Sequence, residues 1–177
     1  MKLLTGRFQY YVEGKCEKKL VRTLIDQRLI IAGQTYVLNP VQDSIKPTHL
    51  RVLPPKTNNI LIFDTDAFDT GISEVDILKK NIACLKSCKN IRNIIIIPQV
   101  RNLEEELLRC TNIRHIRNLV NCPHDSDFKT AFIEEKRLFD KLQSHNFDFR
   151  KLWSSEPTQS LQSIGIQNQS NLIKLLK

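Results

Sequence analysis

Apolar residues along the chain follow two patterns, which predict strands and helices in alternation. Apolar and aromatic runs without polar alternation at Phe8–Val12, Asn59–Phe63 and Asn93–Ile97 are typical of strands buried on both faces of a sheet. Apolar positions at helical spacing predict helices over four further segments: Cys16–Leu29, Ile72–Cys88, Leu103–Cys110 and Phe128–Leu142. This alternation predicts an α/β fold, with a central and mostly parallel sheet and helices on both faces.

The remaining segments carry weaker patterns. Thr35–Leu38 is a candidate for a short strand. Asn39–Thr57 contains four prolines, which predict a mostly irregular segment with a short strand at Leu50–Leu53. Ser154–Asn171 is rich in Ser and Gln and predicts a loose connection, followed by a short helix at Leu172–Leu176.

Length and charge narrow the class of protein. A chain of 177 residues fits one domain, which we expect over residues 1–153, with a polar C-terminal extension over residues 154–177. Hydrophobic residues make up 41% and charged residues 26%, which excludes a disordered chain. The net charge of +8 favours an anionic partner such as nucleic acid, although a solvated lysine face is the alternative.

The distribution of apolar residues and cysteines predicts a cytoplasmic protein. Polar residues interrupt the N-terminal segment, and no apolar run is longer than the four residues Ile94–Ile97, so we expect neither a signal peptide nor a membrane span. The five cysteines are odd in number and irregularly spaced, which indicates reduced thiols. A zinc site is a weak alternative without a CxxC pair, and its candidate ligands are Cys84, Cys88, His115 and His124.

Acidic residues follow two of the predicted strands. Asp64 and Asp66 follow the run ILIF, and Glu13 follows FQYYV and precedes Gly14. The strand period of two is expected to direct the side chains of Asp64 and Asp66 to the same side. Because the carboxyl ends of parallel strands lie at one edge of a sheet, these carboxylates are expected to converge there. Grouped carboxylates repel one another unless a cation neutralises them, and oxygen ligands suit Mg²⁺ or Mn²⁺. An Asx turn at the aspartates and a solvated Glu13 are the structural alternatives.

Other charged residues lie near these strand ends in the sequence. Glu17 occupies the first turn of the helix after Glu13, where it is either a further metal ligand or a complement to the helix dipole. Glu105 follows the third strand and either joins the site or forms a capping box with Asn102. Three lysines are candidates for contacts with a phosphate backbone, or form a solvated face: Lys15, Lys18 and Lys19.

The segment YYVEGKCEKKL (Tyr10–Leu20), followed by ILIFDTD (Ile60–Asp66), resembles the Toprim domain. That domain occurs in topoisomerases, primases, a small ribosomal-RNA maturase and nucleases of the overcoming-lysogenization-defect group. Glu13 with its following glycine matches the glutamate-glycine motif, and Asp64 and Asp66 match the DxD motif. The resemblance implies a Rossmann-like Toprim fold, Mg²⁺ binding by the aspartates, and a metal-binding or acid–base role for Glu13.

The resemblance covers about residues 8–110, and it departs from the family pattern after the DxD motif, where Gly71 comes later than is usual. The spacing of Glu13 and Glu17 is similar to a pairing in the nuclease branch, and Glu105 resembles an additional site residue of small defence-type members. A stand-alone chain of this size is similar to the small Toprim nucleases of phage-defence and restriction-linked loci. This implies Mg²⁺-dependent phosphodiester cleavage of DNA or RNA beside a separate ATPase partner.

Other functional readings stay open. LIFDTDAFDTG also resembles the first motif of haloacid-dehalogenase-type phosphatases, in which Asp64 would be the nucleophile. That motif normally lies near the N-terminus, and Pro-Gln rather than Ser/Thr follows the next strand here. A Toprim-like module that binds nucleic acid or a partner without catalysis is the main non-enzymatic alternative, and a toxin-like RNase is a weaker one. Grouped carboxylates argue against the module, because they repel phosphate unless a metal bridges them.

Overall fold

The computed structural model describes residues 4–69 and 73–175, and its centre is a parallel β-sheet. Within these residues the sheet has four strands in the order β2-β1-β3-β4. Every neighbouring pair of strands is parallel. The strands are β1 (Arg7–Val12), β2 (Gln34–Val37), β3 (Thr57–Asp64) and β4 (Ile91–Gln99). The three apolar runs therefore form strands as predicted, and the short candidate near Thr35 forms the edge strand β2.

Helices cover both faces of the sheet, which confirms the predicted α/β class. The α-helices are α1 (Lys15–Asp26), α2 (Pro47–Arg51), α3 (Ser73–Ser87), α4 (Leu103–Cys110), α5 (Phe128–Glu134), α6 (Leu138–Ser144) and α7 (Gln159–Ser163). Buried residues of α1, α4, α5 and α6 share the first hydrophobic core, and those of α2, α3 and α7 share the second. No helix in the described ranges is long and apolar enough to cross a membrane.

Strand β3 pairs with β1 on one side and with β4 on the other, and all eight of its residues are buried. Successive side chains of a strand point to opposite faces, so one run of apolar residues supplies both cores. Ile60 and Ile62 belong to the first core, whereas Leu61 and Phe63 belong to the second. An apolar run without alternation is the pattern that such a strand requires.

The path of the chain places a topological switch point between β1 and β3. Helix α1 connects β1 to β2 across the first core, whereas α2 and α3 connect β2 to β3 and β3 to β4 across the second. The helices that follow β1 and β3 therefore lie on opposite faces. Ligands of doubly wound sheets bind in the crevice that this arrangement opens at the carboxyl ends of the strands.

Two predicted elements were wrong in their details. The segment expected to hold a strand at Leu50–Leu53 instead contains α2, where Pro47 lies in the first helical turn and Leu50 packs into the second core. The single helix expected over Phe128–Leu142 is two helices, because the backbone becomes extended at Glu135. The apolar stripe continues through the break since both helices pack on the first core. The predicted start of α3 at Ile72 lies outside the described residues.

The C-terminal segment is not a loose connection. The backbone N–H of Gln169 donates to the Ile96 carbonyl, and its side-chain oxygen accepts from the Ile96 N–H, so this segment covers the free edge of β4. Leu176, the end of the helix expected at Leu172–Leu176, lies outside the described residues. Up to residue 175 the segment instead forms a 3-10 helix at Ser170–Leu172, and Lys174 pairs with Ile30 in an isolated antiparallel bridge. The domain boundary after residue 153 stays a prediction.

Candidate functional site

Glu13 and Asp64 meet at the switch point. Strand β1 ends one residue before Glu13, and β3 ends at Asp64. The backbone N–H of Asp64 donates a hydrogen bond of 3.0 Å to Glu13 Oε2. Two residues 51 positions apart are thereby held together at the carboxyl ends of neighbouring strands, as the sequence predicted.

Asp64 is the most perturbed carboxylate of the site. It is only 9% exposed, and its Oδ1 has no hydrogen-bond partner among the described residues. Burial, followed by the charges of Glu13 and Glu17, raises the pKa of Asp64 to about 9. The side chain is therefore protonated at neutral pH, and Oδ1 does not take part in the Asx turn considered as its alternative role.

Glu17 approaches the same place from α1. It is buried, and burial is the main cause that raises its pKa, with the charge of Glu13 adding to the effect. Gly14 leaves room for this carboxylate, because a Cβ atom at Gly14 would lie 2.8 Å from Glu17 Oε2. The backbone at Gly14 is extended, so no turn requires glycine here, and a Cβ would force only the end of the Glu17 side chain to shift.

Glu104, in the first turn of α4, is the glutamate that acts on these three carboxyl groups. Its charge raises the pKa of Glu13, Glu17 and Asp64, whereas Glu105 contributes to none of these shifts. The Glu105 backbone N–H donates to Asn102 Oδ1 at 3.0 Å, which is one half of the capping box. Adjacent helical residues are about 100° apart around the axis, and the run Glu104–Glu106 does not show which of them faces the sheet.

Asp66 joins the site for a different reason from the one that the sequence suggested. It begins a 3-10 helix, Asp66–Asp69, and does not continue β3, so the strand period that was expected to align it with Asp64 does not apply. Its side chain is exposed, yet its charge raises the pKa of both Glu13 and Asp64. We call the following five residues the acidic cluster: Glu13, Glu17, Asp64, Asp66 and Glu104.

Lys129 is a cation beside the acidic cluster that sequence reasoning missed. Its Nζ lies 3.6 Å from Glu104 Oε1, and the charge of Glu104 is the main cause that raises its pKa. Its charge also lowers the pKa of Glu13 and Glu17. Helix α5 is held near α1 by the thiol of Cys16, which lies 3.6 Å from the Lys129 carbonyl oxygen.

Thr65 ties the DxD segment to the loop after β4. Its N–H donates to the carbonyls of Gln99 and Arg101, and its hydroxyl accepts from the Arg101 N–H at 2.8 Å. The Asp66 N–H also donates to the Arg101 carbonyl, at 3.1 Å. Arg101 has a φ of +67°, in the left-handed region that a residue with a Cβ adopts only at a cost. The hydrogen bonds hold this exposed arginine beside Asp66.

The three lysines singled out in the sequence lie in the first turns of α1, directly after Glu13. Lys15 is exposed, and Lys18 and Lys19 are half-buried. None of the three forms an ion pair with a described residue, so their charges remain open to an anionic partner. Binding of nucleic acid by these lysines stays a prediction.

The cluster offers oxygen ligands but not a closed coordination sphere. Across residues 4–69 and 73–175, no three His, Cys, Asp or Glu side chains are placed so that they could hold a metal ion. This also applies to the zinc alternative: the thiols of Cys84 and Cys88 instead lie 3.6 and 3.8 Å from the carbonyl oxygens of Ile45 and Leu50. Metal binding by the acidic cluster stays a prediction.

Comparisons of the chain with protein-family models, with curated proteins and with solved structures gave no significant match. The resemblance to the Toprim domain therefore depends on the two motifs that contain Glu13 and Asp64, and family membership stays a prediction.

Proposed function

We propose that this chain is a divalent-cation-dependent nuclease that cleaves phosphodiester bonds of DNA or RNA at the acidic cluster. The observation that carries the proposal is the buried Oδ1 of Asp64, which lacks a hydrogen-bond partner among the described residues. The charges of four further carboxylates raise the pKa of this side chain. A buried polar atom without a partner is costly and calls for a physical explanation. A divalent cation bound at the acidic cluster would supply one.

The donor atoms of the acidic cluster suit Mg²⁺ or Mn²⁺ in kind, and the side chains would have to come closer together to hold one ion. The donors are all oxygens, which these hard cations prefer. Burial and mutual repulsion raise the pKa of Glu13, Glu17 and Asp64, and a bound cation relieves both causes. Asp64, Asp66 and Glu13 are the first candidates for ligands, with Glu17 and Glu104 beside them. Glu105 is a weaker candidate, since its charge does not act on the cluster.

The chain's own residues have separable roles in the proposed reaction. A cation at the cluster supplies polarisation of a phosphoryl oxygen and a lowered pKa of bound water. Glu13 Oε2 is held by the Asp64 N–H, which leaves Oε1 to bind the cation or to accept a proton from water. Asp64 must release its proton before it can act as a ligand, because its pKa is about 9. Lys129 offsets part of the remaining negative charge.

The substrate is proposed to approach over the basic residues that border the cluster. Phosphates bind cations, and the net charge of +8 favours long-range attraction of a polyanion. The Arg101 carbonyl accepts from the Asp66 N–H, Lys129 pairs with Glu104, and the lysines of α1 follow Glu13 after Gly14. Basic residues next to the carboxylates support a substrate whose phosphates meet a cation at the cluster.

The setting of this activity is also proposed. The resemblance to small Toprim nucleases supports a role in phage defence, together with a separate ATPase as partner. The five free cysteines suit a reducing cytoplasm. Addition of an ATPase encoded beside the chain is expected to stimulate cleavage in the presence of ATP, and no stimulation would remove the partner from the proposal.

The proposed activity is tested by incubation of the purified chain with supercoiled DNA, single-stranded DNA and structured RNA, in Mg²⁺, Mn²⁺ or EDTA. We expect cleavage of at least one substrate with a divalent cation, and none in EDTA. Asp64→Asn should abolish it, whereas Asp26→Asn, the same substitution at the last residue of α1, should not. Cleavage in EDTA contradicts the proposal, and binding without cleavage favours the non-catalytic module. Trapping of an aspartyl-phosphate on Asp64 would instead favour a phosphatase.

A further inference from the structure

Gln99 carries a second unexplained polar group near the acidic cluster. It is the last residue of β4, and its side chain is fully buried. Neither the oxygen nor the nitrogen of its amide has a hydrogen-bond partner among the described residues. A buried amide with both ends unpaired destabilises a fold, whereas methionine would fill similar space without that cost.

The position of Gln99 relates it directly to Asp64. The two residues are register partners across β3 and β4, and side chains of paired residues project from the same face of a sheet. That face is the one of the first core, which contains Ile62 and Ile97 and is covered by α1 and α4. Those two helices also carry Glu17 and Glu104, whose charges raise the pKa of Asp64. Gln99 and Asp64 are therefore neighbouring buried groups on one face, each with an unpartnered polar atom.

We propose that Gln99 is a ligand residue of the site, whose amide binds the divalent cation or a water in the shell of that cation. This inference rests on the proposed function, since it needs a cation at the acidic cluster. A neutral amide oxygen adds a donor without adding charge to carboxylates that already repel one another. Mg²⁺ also retains several of its waters, which need hydrogen-bond partners in a buried place.

Asn59 provides a matched control for the cost of an unpaired amide. It is fully buried in β3, its Oδ1 has no partner, and it lies five residues before Asp64 on the face of the second core. At a rise of about 3.3 Å per residue, it is roughly 16 Å away from the acidic cluster. Removal of this amide should change stability alone.

The test is titration with Mn²⁺, without nucleic acid, followed by the electron paramagnetic resonance signal of free Mn²⁺, with melting temperatures measured in EDTA. Gln99→Met should keep or raise the melting temperature and weaken Mn²⁺ binding about 10-fold or more, as loss of an outer ligand does. Asn59→Leu should leave Mn²⁺ binding unchanged. Gln99→Glu should lower the melting temperature in EDTA and tighten Mn²⁺ binding, which keeps the inference testable if Gln99→Met does not fold.

Wild-type affinity in both Gln99 variants overturns the inference and leaves the proposed function standing. A wild-type chain that binds Mn²⁺ but cleaves nothing contradicts the proposed function, while the Gln99 comparison still decides the inference. A wild-type chain that binds no Mn²⁺ contradicts both.

Discussion

The backbone N–H of Asp64 donates to the carboxylate of Glu13, so the ends of β1 and β3 are joined by a side chain of the site itself. This hydrogen bond fixes one oxygen of Glu13. It also couples the position of the Asp64 backbone to that of the Glu13 side chain. A site with this geometry is organised by the sheet and not by a flexible loop, which favours precise placement of reacting groups. The pKa of both carboxyl groups is raised as a consequence of their burial.

Stability without cations should fall as pH rises. The pKa of Asp64 is about 9 in the folded chain and ordinarily 3.8, so between these values the folded state holds a proton that the unfolded state has lost. The free energy of unfolding that this proton contributes is fully present at low pH. It decreases as the pH rises to about 9, by at most about 1.4 kcal/mol per pH unit. Urea unfolding in EDTA at pH 5, 7 and 9 measures this, and Asp64→Asn should flatten the decline. Equal slopes for both proteins would contradict the pKa assignment.

Glu104 and Glu105 should behave differently although they are neighbours on one helix. Glu104→Gln removes a charge that acts on the acidic cluster, so cleavage should fall at least about 10-fold. Glu105→Gln keeps the backbone bond to Asn102 and serves as the matched control, with activity close to wild type. Rates at saturating substrate measure the difference. A greater loss of cleavage rate in the Glu105 variant would instead support Glu105, the site residue that the sequence predicts.

Lys129→Met should separate cation binding from nucleic-acid binding. Loss of the Lys129 ammonium group near Glu104 makes the acidic cluster more negative, so Mn²⁺ should bind several-fold tighter. Nucleic-acid affinity should fall, because a positive charge that attracts phosphates is removed. Lys129 is 73% exposed in this ion pair, so stability should change by less than about 1 kcal/mol. Lys136→Met makes the same change of net charge on an exposed residue beyond the end of α5. If the two variants behave alike, Lys129 has no specific role.

Arg101→Gly should weaken nucleic-acid binding without loss of stability. Glycine adopts the φ of +67° freely, and this gain offsets the greater entropy that glycine adds to the unfolded chain. Loss of one phosphate contact should reduce the salt dependence of binding, by about one unit in the slope of log affinity against log salt. Arg28→Gly is a close control, because Arg28 is also exposed and has a φ of +57°. Equal affinity loss in both variants would indicate a general charge effect.

The central part of the fold and of the site could be predicted from the sequence. Apolar runs identify the inner strands, and the rule for parallel strand ends brings Glu13 and Asp64 together. Helix phase is not encoded in a run of three glutamates, so the sequence does not distinguish Glu104 from Glu105 as the residue that acts on the site. Lys129 reaches the site from α5, whose packing depends on tertiary contacts that local pattern does not show.

The prediction of a loose C-terminal connection was wrong for a related physical reason. Its Ser and Gln residues indicate loops when they are read locally. In the folded chain, Gln169 forms hydrogen bonds with the backbone of Ile96, 73 residues earlier, and so closes an edge of the sheet. The local sequence does not show this partner, because Gln169 meets the edge of β4 only in the folded chain.

The most direct test of the account is a titration of the wild-type chain and of Asp64→Asn with Mn²⁺ at pH 7 and pH 9, in the absence of nucleic acid. The account predicts stoichiometric binding by the wild type, tighter at pH 9 because Asp64 then gives up its proton more readily, and loss of that binding in Asp64→Asn. A wild-type chain that binds no Mn²⁺ at either pH, or an Asp64→Asn variant with wild-type affinity, would contradict the claim that the acidic cluster is a cation site.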